Sequence, residues 1–159
     1  MIQTIDFYIL DAIQNLRCGF LDYIMPKITF LGSGGLIWIV ITLIYLLRHD
    51  SRRTGIMLAA ALILGLIIGN GMFKNIIARE RPNWLNPSIV LLIDNPTDFS
   101  FPSGHTLASF SCVFILFFTK DRLRYAALVS AILIAFSRLY LYVHFPSDIL
   151  GAVVLSLLI

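Results

Sequence analysis

Charged side chains are scarce in this chain. Asp, Glu, Lys and Arg make up only 13% of its 159 residues, whereas soluble domains carry about a quarter of such residues. A soluble globular fold is therefore not expected. The apolar runs are also too long and too continuous for an outer-membrane barrel, whose strands alternate over about ten residues. Both observations predict that most of the surface faces lipid.

Cysteine is scarce as well. Cys18 and Cys112 stand far apart in the sequence, and the second lies inside an apolar run. Neither a disulfide framework nor a thiolate metal site is expected from this spacing. The first residues include Asp6 and Asp11 and lack a basic start, so we expect no cleavable signal peptide.

Long apolar runs are what the sequence has in abundance. Hydrophobic residues form 58% of the chain, and one crossing of a bilayer takes about 20 of them as a helix. The sequence predicts an all-α membrane protein, a single domain over residues 1–159 built as a bundle of about five transmembrane helices. The predicted crossings cover 28–47, 54–73, 101–119, 125–143 and a shorter run, 148–159.

The amino-terminal segment, residues 1–20, is too polar to span a membrane. Ile5, Ile9, Ile13 and Leu16 nevertheless recur at helical steps. This pattern predicts an amphipathic helix that lies in the membrane interface. A helix that packs against the bundle explains the same pattern equally well.

One long polar loop, residues 74–100, interrupts the apolar runs, and three prolines break it. Basic residues cluster in two short turns, 48–53 and 120–124. Because basic turns stay in the cytoplasm, we expect the loop on the extracytoplasmic side. The cations of the loop itself then need another explanation.

The first cluster of candidate site residues lies in this loop. Lys74 and Arg81 are seven residues apart, which is two helical turns, so both can point to one face of a continued helix. The alternative is a snorkelling lysine and a solvated arginine. Arg79 and Glu80 are interpreted as surface charges.

The second cluster comes immediately before the third apolar run. Pro102, Ser103 and Gly104 are typical of a helix start, where free backbone N–H groups attract an anion. His105 follows and can hold or release a proton near neutral pH. Ser103 could instead be an ordinary helix cap.

The third cluster flanks the fourth run. Arg138 lies within an apolar segment, where an unpaired guanidinium is costly and usually marks function. His144 and Asp148 are four residues apart, so the carboxylate could accept a hydrogen bond from one ring nitrogen and fix the tautomer. A purely structural His–Asp pair is the alternative. All three clusters fall on the same predicted face.

Together the motifs K-x6-RP (74–82), PSGH (102–105) and SR-x5-H-x3-D (137–148) resemble the three-part signature of the type 2 phosphatidic acid phosphatase (PAP2) superfamily. This superfamily includes vanadium haloperoxidases and bacterial lipid phosphatases. The small bacterial members that act on undecaprenyl diphosphate or phosphatidylglycerophosphate are the most similar. Many membrane members have six spans, whereas in this sequence we expect no span before the interfacial helix and a last run that stops early.

The resemblance implies metal-independent hydrolysis of a lipid phosphate through a phosphohistidine, without a cofactor. It implies that His144 attacks phosphorus, that Asp148 holds His144, and that His105 protonates the leaving group. The phosphate would be held by five residues: Lys74, Arg81, Ser103, Gly104 and Arg138.

The resemblance also implies where the protein works and with what. The expected partners are a phosphorylated lipid and the bilayer, without nucleic acid, in a bacterial cytoplasmic membrane with the site on its outer face. A competing hypothesis is a non-catalytic anion-binding protein or transporter component. It would use the same cations but has no need of two histidines.

Overall fold

The computed structural model describes residues 2–159, and this part of the chain is helical without a strand. A 3₁₀ turn at Ser33–Gly35 joins α2 to α3, and a π-helix at Leu66–Phe73 joins α4 to α5. The predicted all-α fold is confirmed. The helices are α1 (Ile2–Gln14), α2 (Gly19–Gly32), α3 (Leu36–Leu47), α4 (Arg52–Gly65), α5 (Lys74–Ile77), α6 (Pro82–Leu85), α7 (Gly104–Phe118), α8 (Arg124–Tyr140) and α9 (Pro146–Leu157).

Two stretches of helix, Gly19–Leu47 and His49–Leu85, are long and apolar enough to cross a membrane. The apolar helices α7 and α9 are shorter than a full crossing. The count of about five crossings therefore stays a prediction.

The first long stretch begins earlier than expected. α2 starts at Gly19 and contains Pro26, although the sequence predicted that the run began after this proline. A proline removes one helical hydrogen bond, which a helix packed among neighbours tolerates. The stretch breaks instead at Gly34 and Gly35, whose φ angles of 59° and 73° suit glycine best.

α7 is the central helix of the bundle and packs against α4, α8 and α9. Close approach between helices elsewhere depends on small residues. A Cβ at Gly55 would lie 2.7 Å from the backbone nitrogen of Leu46, so only glycine lets α4 lie this close to α3. Contacts of this kind, rather than exclusion of water, hold helices together in lipid.

The two basic turns lie at one end of the bundle. Tyr45, near the end of α3, donates a hydrogen bond of 2.8 Å to Asp121 in the turn after α7. His105, at the start of α7, is therefore at the opposite end. The membrane side that each end faces remains a prediction.

α1 packs on the bundle at this opposite end. Leu10 is fully buried beside Tyr142 and Phe145, and the rings of Phe7 and Phe145 meet edge to face at 5.2 Å. α1 therefore covers the turn between α8 and α9. Packing against the bundle is observed, and a position in the membrane interface stays a prediction.

Candidate active site

A cavity of about 920 Å³ extends from Gly104 and His105, at the end of the bundle away from the basic turns, along α3 as far as Leu46. It brings together residues from all three sequence clusters. Ser103 and Asp148 are fully buried and do not line it. The predicted site residues that line the cavity are Lys74, Arg81, Gly104, His105, Arg138 and His144.

His144 lies in the turn between α8 and α9, and its side chain is almost fully buried. Its Nε2 is 3.2 Å from Nη1 of Arg81. A guanidinium only donates hydrogen bonds, so Nε2 is the acceptor and the ring proton is on Nδ1. The lone pair of Nε2 therefore faces Arg81.

The environment of His144 also favours its neutral form. Burial lowers the pKa of His144 well below its ordinary value, and the charges of Arg81, Arg138 and Lys74 lower it further. The ring is therefore neutral at pH 7. A neutral imidazole is the form that can attack an electrophile, once its Nε2 lone pair is released from Arg81.

The predicted hydrogen bond between His144 and Asp148 is wrong. His144 Nδ1 lies 3.6 Å from Asp148 Oδ2, which is longer than a hydrogen bond, and Nδ1 has no partner among residues 2–159. Asp148 Oδ2 instead accepts from the backbone N–H of Phe145 at 2.8 Å and from the hydroxyl of Ser100. The reason is that α9 begins at Pro146, so Asp148 caps this helix from its first turn.

Arg79 is not the surface charge that the sequence suggested. Its side chain is only 23% exposed, and Nη1 donates to Asp148 Oδ1 at 2.6 Å and to the Ser147 hydroxyl at 2.7 Å. Its Nη2 donates to Asp6 Oδ2 at 2.7 Å. We call Asp6, Arg79, Ser147 and Asp148 the support network.

Lys74 and Arg81 reach the cavity by a route that the sequence did not predict. α5 ends at Ile77, and Ala78 has a left-handed backbone with φ of 46°, so the two cations do not share a helix. They meet at the carboxylate of Asp98. Arg81 Nη2 donates to Asp98 Oδ1 at 2.7 Å, and Lys74 Nζ donates to Oδ2.

Asp98 has no place in the sequence motifs. Burial raises the pKa of this carboxyl, but the hydrogen bond from Lys74 and the charges of Arg81 and Lys74 outweigh burial and lower the pKa to about 2. Asp98 is therefore ionised at neutral pH. Its side chain is 54% exposed. The Asp98 carboxylate can therefore turn away from Lys74 and Arg81 into solvent.

Arg138 is the third cation of the cavity, and we call Lys74, Arg81 and Arg138 the cationic group. The residue is only 4% exposed. Its Nη1 donates to the hydroxyl of Thr29 at 2.6 Å, while Nε has no hydrogen-bond partner within the described chain. A buried guanidinium with an unused donor is suited to bind an anion bidentately.

The residues of the PSGH segment have two kinds of position, one structural and one at the cavity. Ser103 is the N-cap of α7, and its hydroxyl accepts from the backbone N–H of Thr106 at 3.4 Å. His105 faces the cavity with Nε2 at 3.4 Å from the Ser33 hydroxyl. A Cβ at Gly32 would lie 2.8 Å from the His105 ring, so glycine at position 32 leaves room for this side chain.

Comparison with known proteins identifies the family. The model of the PAP2 superfamily matches residues 54–159, which is most of the chain and includes all six cavity residues named above. The chain belongs to the PAP2 superfamily. This membership accounts for the three motifs together.

Two relatives of this PAP2 chain are named for lipid phosphates. The undecaprenyl-diphosphatase of Sulfolobus acidocaldarius is 33% identical over 117 residues, which are 72% of this chain and 56% of that protein. The phosphatidylglycerophosphatase B of Bacillus subtilis is 30% identical over 170 residues, covering 99% of this chain and 81% of that one. The chain thus spans little more than half the length of the first relative.

A solved structure shares the PAP2 fold of this chain. The crystal structure of a transmembrane PAP2-type phosphatidylglycerolphosphate phosphatase from Bacillus subtilis superposes with a TM-score of 0.78. It is 29% identical, and the match covers 98% of this chain and 81% of that chain. The helical bundle is therefore that of a membrane PAP2 protein.

Proposed function

We propose that this protein hydrolyses the phosphate monoester or diphosphate of a membrane lipid through a phosphohistidine intermediate and without a metal ion. One observation carries the proposal. The neutral His144 directs Nε2 toward Arg81 at the wall of a cavity that also holds Lys74, Arg138 and His105. A nucleophile, an acid–base group and cations for the phosphate oxygens thus meet in one place.

The first step transfers the phosphoryl group to the protein. The phosphate replaces the Asp98 carboxylate beside Lys74 and Arg81, and Arg138 supplies its unused Nε–H. Phosphoryl transfer needs positioning and charge neutralisation above all, which the cationic group provides. Nε2 of His144 then forms the N–P bond while the bond from phosphorus to the leaving oxygen breaks.

His105 supplies and recovers the proton. A bound phosphate places negative charge beside this ring and favours its protonated form. His105 donates that proton to the departing oxygen, and afterwards accepts a proton from the water that attacks the phosphohistidine. The N–P bond breaks, inorganic phosphate leaves, and His144 returns to its neutral state.

The remaining length of the cavity suits a lipid tail. It continues between α3 and α4 along a wall that is mostly apolar, with Thr42 as a polar side chain on it. Undecaprenyl diphosphate and phosphatidylglycerophosphate are our candidate substrates, since the relatives named for these lipids are similar over most of this chain. The apolar wall includes Leu43, Leu46, Leu62, Ile63 and Leu66.

The protein is proposed to be a multi-pass protein of a bacterial cytoplasmic membrane with its site on the extracytoplasmic face. Support comes from the two basic turns, which lie at the opposite end of the bundle from His105. Basic turns stay on the cytoplasmic side.

Phosphate release from defined lipids tests the proposal. The purified protein in detergent is given undecaprenyl diphosphate, phosphatidylglycerophosphate or phosphatidic acid. His144→Ala is compared with His49→Ala, which removes a fully exposed histidine from the basic-turn end. We expect release by the wild type and by His49→Ala, and none by His144→Ala.

Two results would contradict the proposal in different ways. Tight binding of these lipids without phosphate release would favour the non-catalytic anion-binding protein. Release by folded His144→Ala at the wild-type rate would show that His144 is not the nucleophile.

A further inference from the structure

A buried carboxylate connects α1 to the candidate active site. Asp6 is only 3% exposed, although most of its neighbours on α1 are exposed. It accepts hydrogen bonds from Arg79 Nη2 at 2.7 Å, from the Ser147 backbone N–H at 3.0 Å and from the Ser147 hydroxyl at 2.5 Å. Burying a charge is costly unless it is paired and hydrogen-bonded, and Asp6 meets both conditions.

Arg79 links Asp6 to the candidate active site. Its two terminal nitrogens divide between two carboxylates, Nη2 to Asp6 and Nη1 to Asp148. Asp148 in turn lies 3.6 Å from Nδ1 of His144. The order of contact from α1 to the proposed nucleophile is therefore Asp6, Arg79, Asp148 and His144.

The sharing of Arg79 leaves negative charge beside His144. Two carboxylates and one guanidinium together carry one net negative charge. Without Asp6, the guanidinium would neutralise Asp148 alone and could turn both nitrogens toward it, since arginine pairs bidentately with a carboxylate. Positive charge develops on the His144 ring as the N–P bond forms, and a neutralised Asp148 would stabilise that charge less.

We propose that Asp6 is a positioning residue for the reaction, acting through Arg79 to keep Asp148 aligned with His144 and effective as an anion. This inference rests on the proposed function, because it assigns α1 a part in that same reaction. It predicts an effect on the chemical step rather than on binding. Asp6 lies outside the cavity that would hold the lipid phosphate.

The test compares Asp6→Asn with the matched variant Asp11→Asn. Asp11 lies on the same helix and accepts a hydrogen bond of 2.9 Å from Tyr142, in the turn that carries His144, but it does not contact Arg79. We expect Asp6→Asn to lower kcat about tenfold, the effect of one hydrogen bond to a charged group. KM should change less than about twofold, as expected when only the transition state is affected.

Asp11→Asn is expected to keep wild-type kcat. Thermal unfolding in the same detergent shows whether both variants are folded. Asp6→Glu, which keeps the charge, should recover most of the lost kcat. Equal kcat for folded Asp6→Asn and Asp11→Asn would overturn the inference, as would a loss expressed only in KM.

Arg79→Lys provides a second route if Asp6→Asn does not fold. Lysine keeps the charge but lacks the two-pronged geometry, so it cannot hold both carboxylates in the same way. We expect a lower kcat with little change in KM, and wild-type kcat in the folded variant would overturn the inference.

The wild-type measurement separates the two proposals. A wild type that releases no phosphate from any of the three lipids overturns the proposed function and the role of Asp6 with it. An active wild type whose kcat is unaffected by Asp6→Asn and by Arg79→Lys overturns the role of Asp6 alone.

Discussion

Arg79 and Arg81 are two residues apart, yet they lie on different sides of His144. Arg79 belongs to the support network and divides its terminal nitrogens between two buried carboxylates, Asp6 and Asp148. Arg81 lines the cavity and forms an ion pair with the half-exposed Asp98. Two arginines that are close in sequence thus have different surroundings: Arg79 is held between buried carboxylates, and Arg81 faces the cavity.

The two arginines belong to two different kinds of charged cluster in this molecule. In the support network every charged group is paired, because the carboxylates of Asp6 and Asp148 both accept hydrogen bonds from the Arg79 guanidinium between them. The cationic group is only partly paired, since its three cations line one cavity with two carboxylates, Asp94 and Asp98, and within residues 2–159 only Asp98 forms ion pairs with them. An excess of cations in a cavity attracts an anion, whereas a network in which every charged group is paired fixes geometry.

The largest effect is expected in the cationic group. Arg138→Lys should lower kcat/KM about 100-fold, because it removes the Nε–H and the planar fork that would bind phosphate while keeping the charge. Steady-state phosphate release measures this loss. Arg122→Lys, in the basic turn at the other end, is the control and should match the wild type. A folded Arg138→Lys of wild-type efficiency would contradict an anion site at Arg138.

A smaller effect, a lower KM rather than a loss of efficiency, is expected when Asp98 is substituted. Under the proposed function, Asp98→Asn removes an anion that would compete with substrate for Lys74 and Arg81, so KM should fall about fivefold, the effect of roughly 1 kcal/mol. Competition by inorganic phosphate measures the same change. An unchanged inhibition constant for phosphate would show that Asp98 does not occupy the phosphate position.

Asp98 also makes stability depend on acid pH. Its pKa is lowered from 3.8 to about 2 in the folded protein, so its contribution is present above about pH 4 and is lost as pH falls toward 2. We expect the melting temperature of the wild type to fall through this interval more than that of Asp98→Asn. Parallel pH profiles for the two proteins would contradict the ion pairs of Asp98.

His144 is expected to show no titration near neutral pH. Its pKa lies well below the ordinary value of 6.5 because of burial and of Arg81, Arg138 and Lys74. NMR of the nitrogen-labelled histidines, assigned with His144→Ala and His49→Ala, should find the His144 ring still neutral at pH 6.5, where an ordinary histidine is half protonated. A His144 ring that protonates near pH 6.5 would contradict its burial among cations.

The smallest effect is expected from a metal chelator. The proposed function has the cationic group neutralise the phosphate charge without a divalent ion, and it predicts that phosphate release in excess EDTA equals release without it. Loss of activity that one particular divalent ion restores would point to a metal mechanism.

The sequence predicted the parts of the site that depend on a residue's own chemistry. An arginine in an apolar run, Arg138, is costly wherever it lies, and the histidines at 105 and 144 follow recognisable motifs. The structure brings these side chains to one cavity. Their roles in catalysis stay proposals.

The partners of these residues were harder to predict, because they depend on how distant segments fold together. Asp98 lies in a loop without a motif, and Asp6 is 73 residues from Arg79. Thr29, which binds Arg138, could have been suspected only as a polar residue in an apolar stretch. The error at Asp148 was local in origin, since the start of α9 at Pro146 directs this carboxylate to the backbone N–H of Phe145.

Trapping the covalent intermediate tests the central claim most directly. The protein is mixed with a lipid labelled in its terminal phosphate, stopped with base within one turnover, and digested for mass spectrometry. The account predicts a phosphoryl group on His144 in the wild type and in His49→Ala, and none in His144→Ala. Phosphate release without label on His144, or label on another residue, would contradict it.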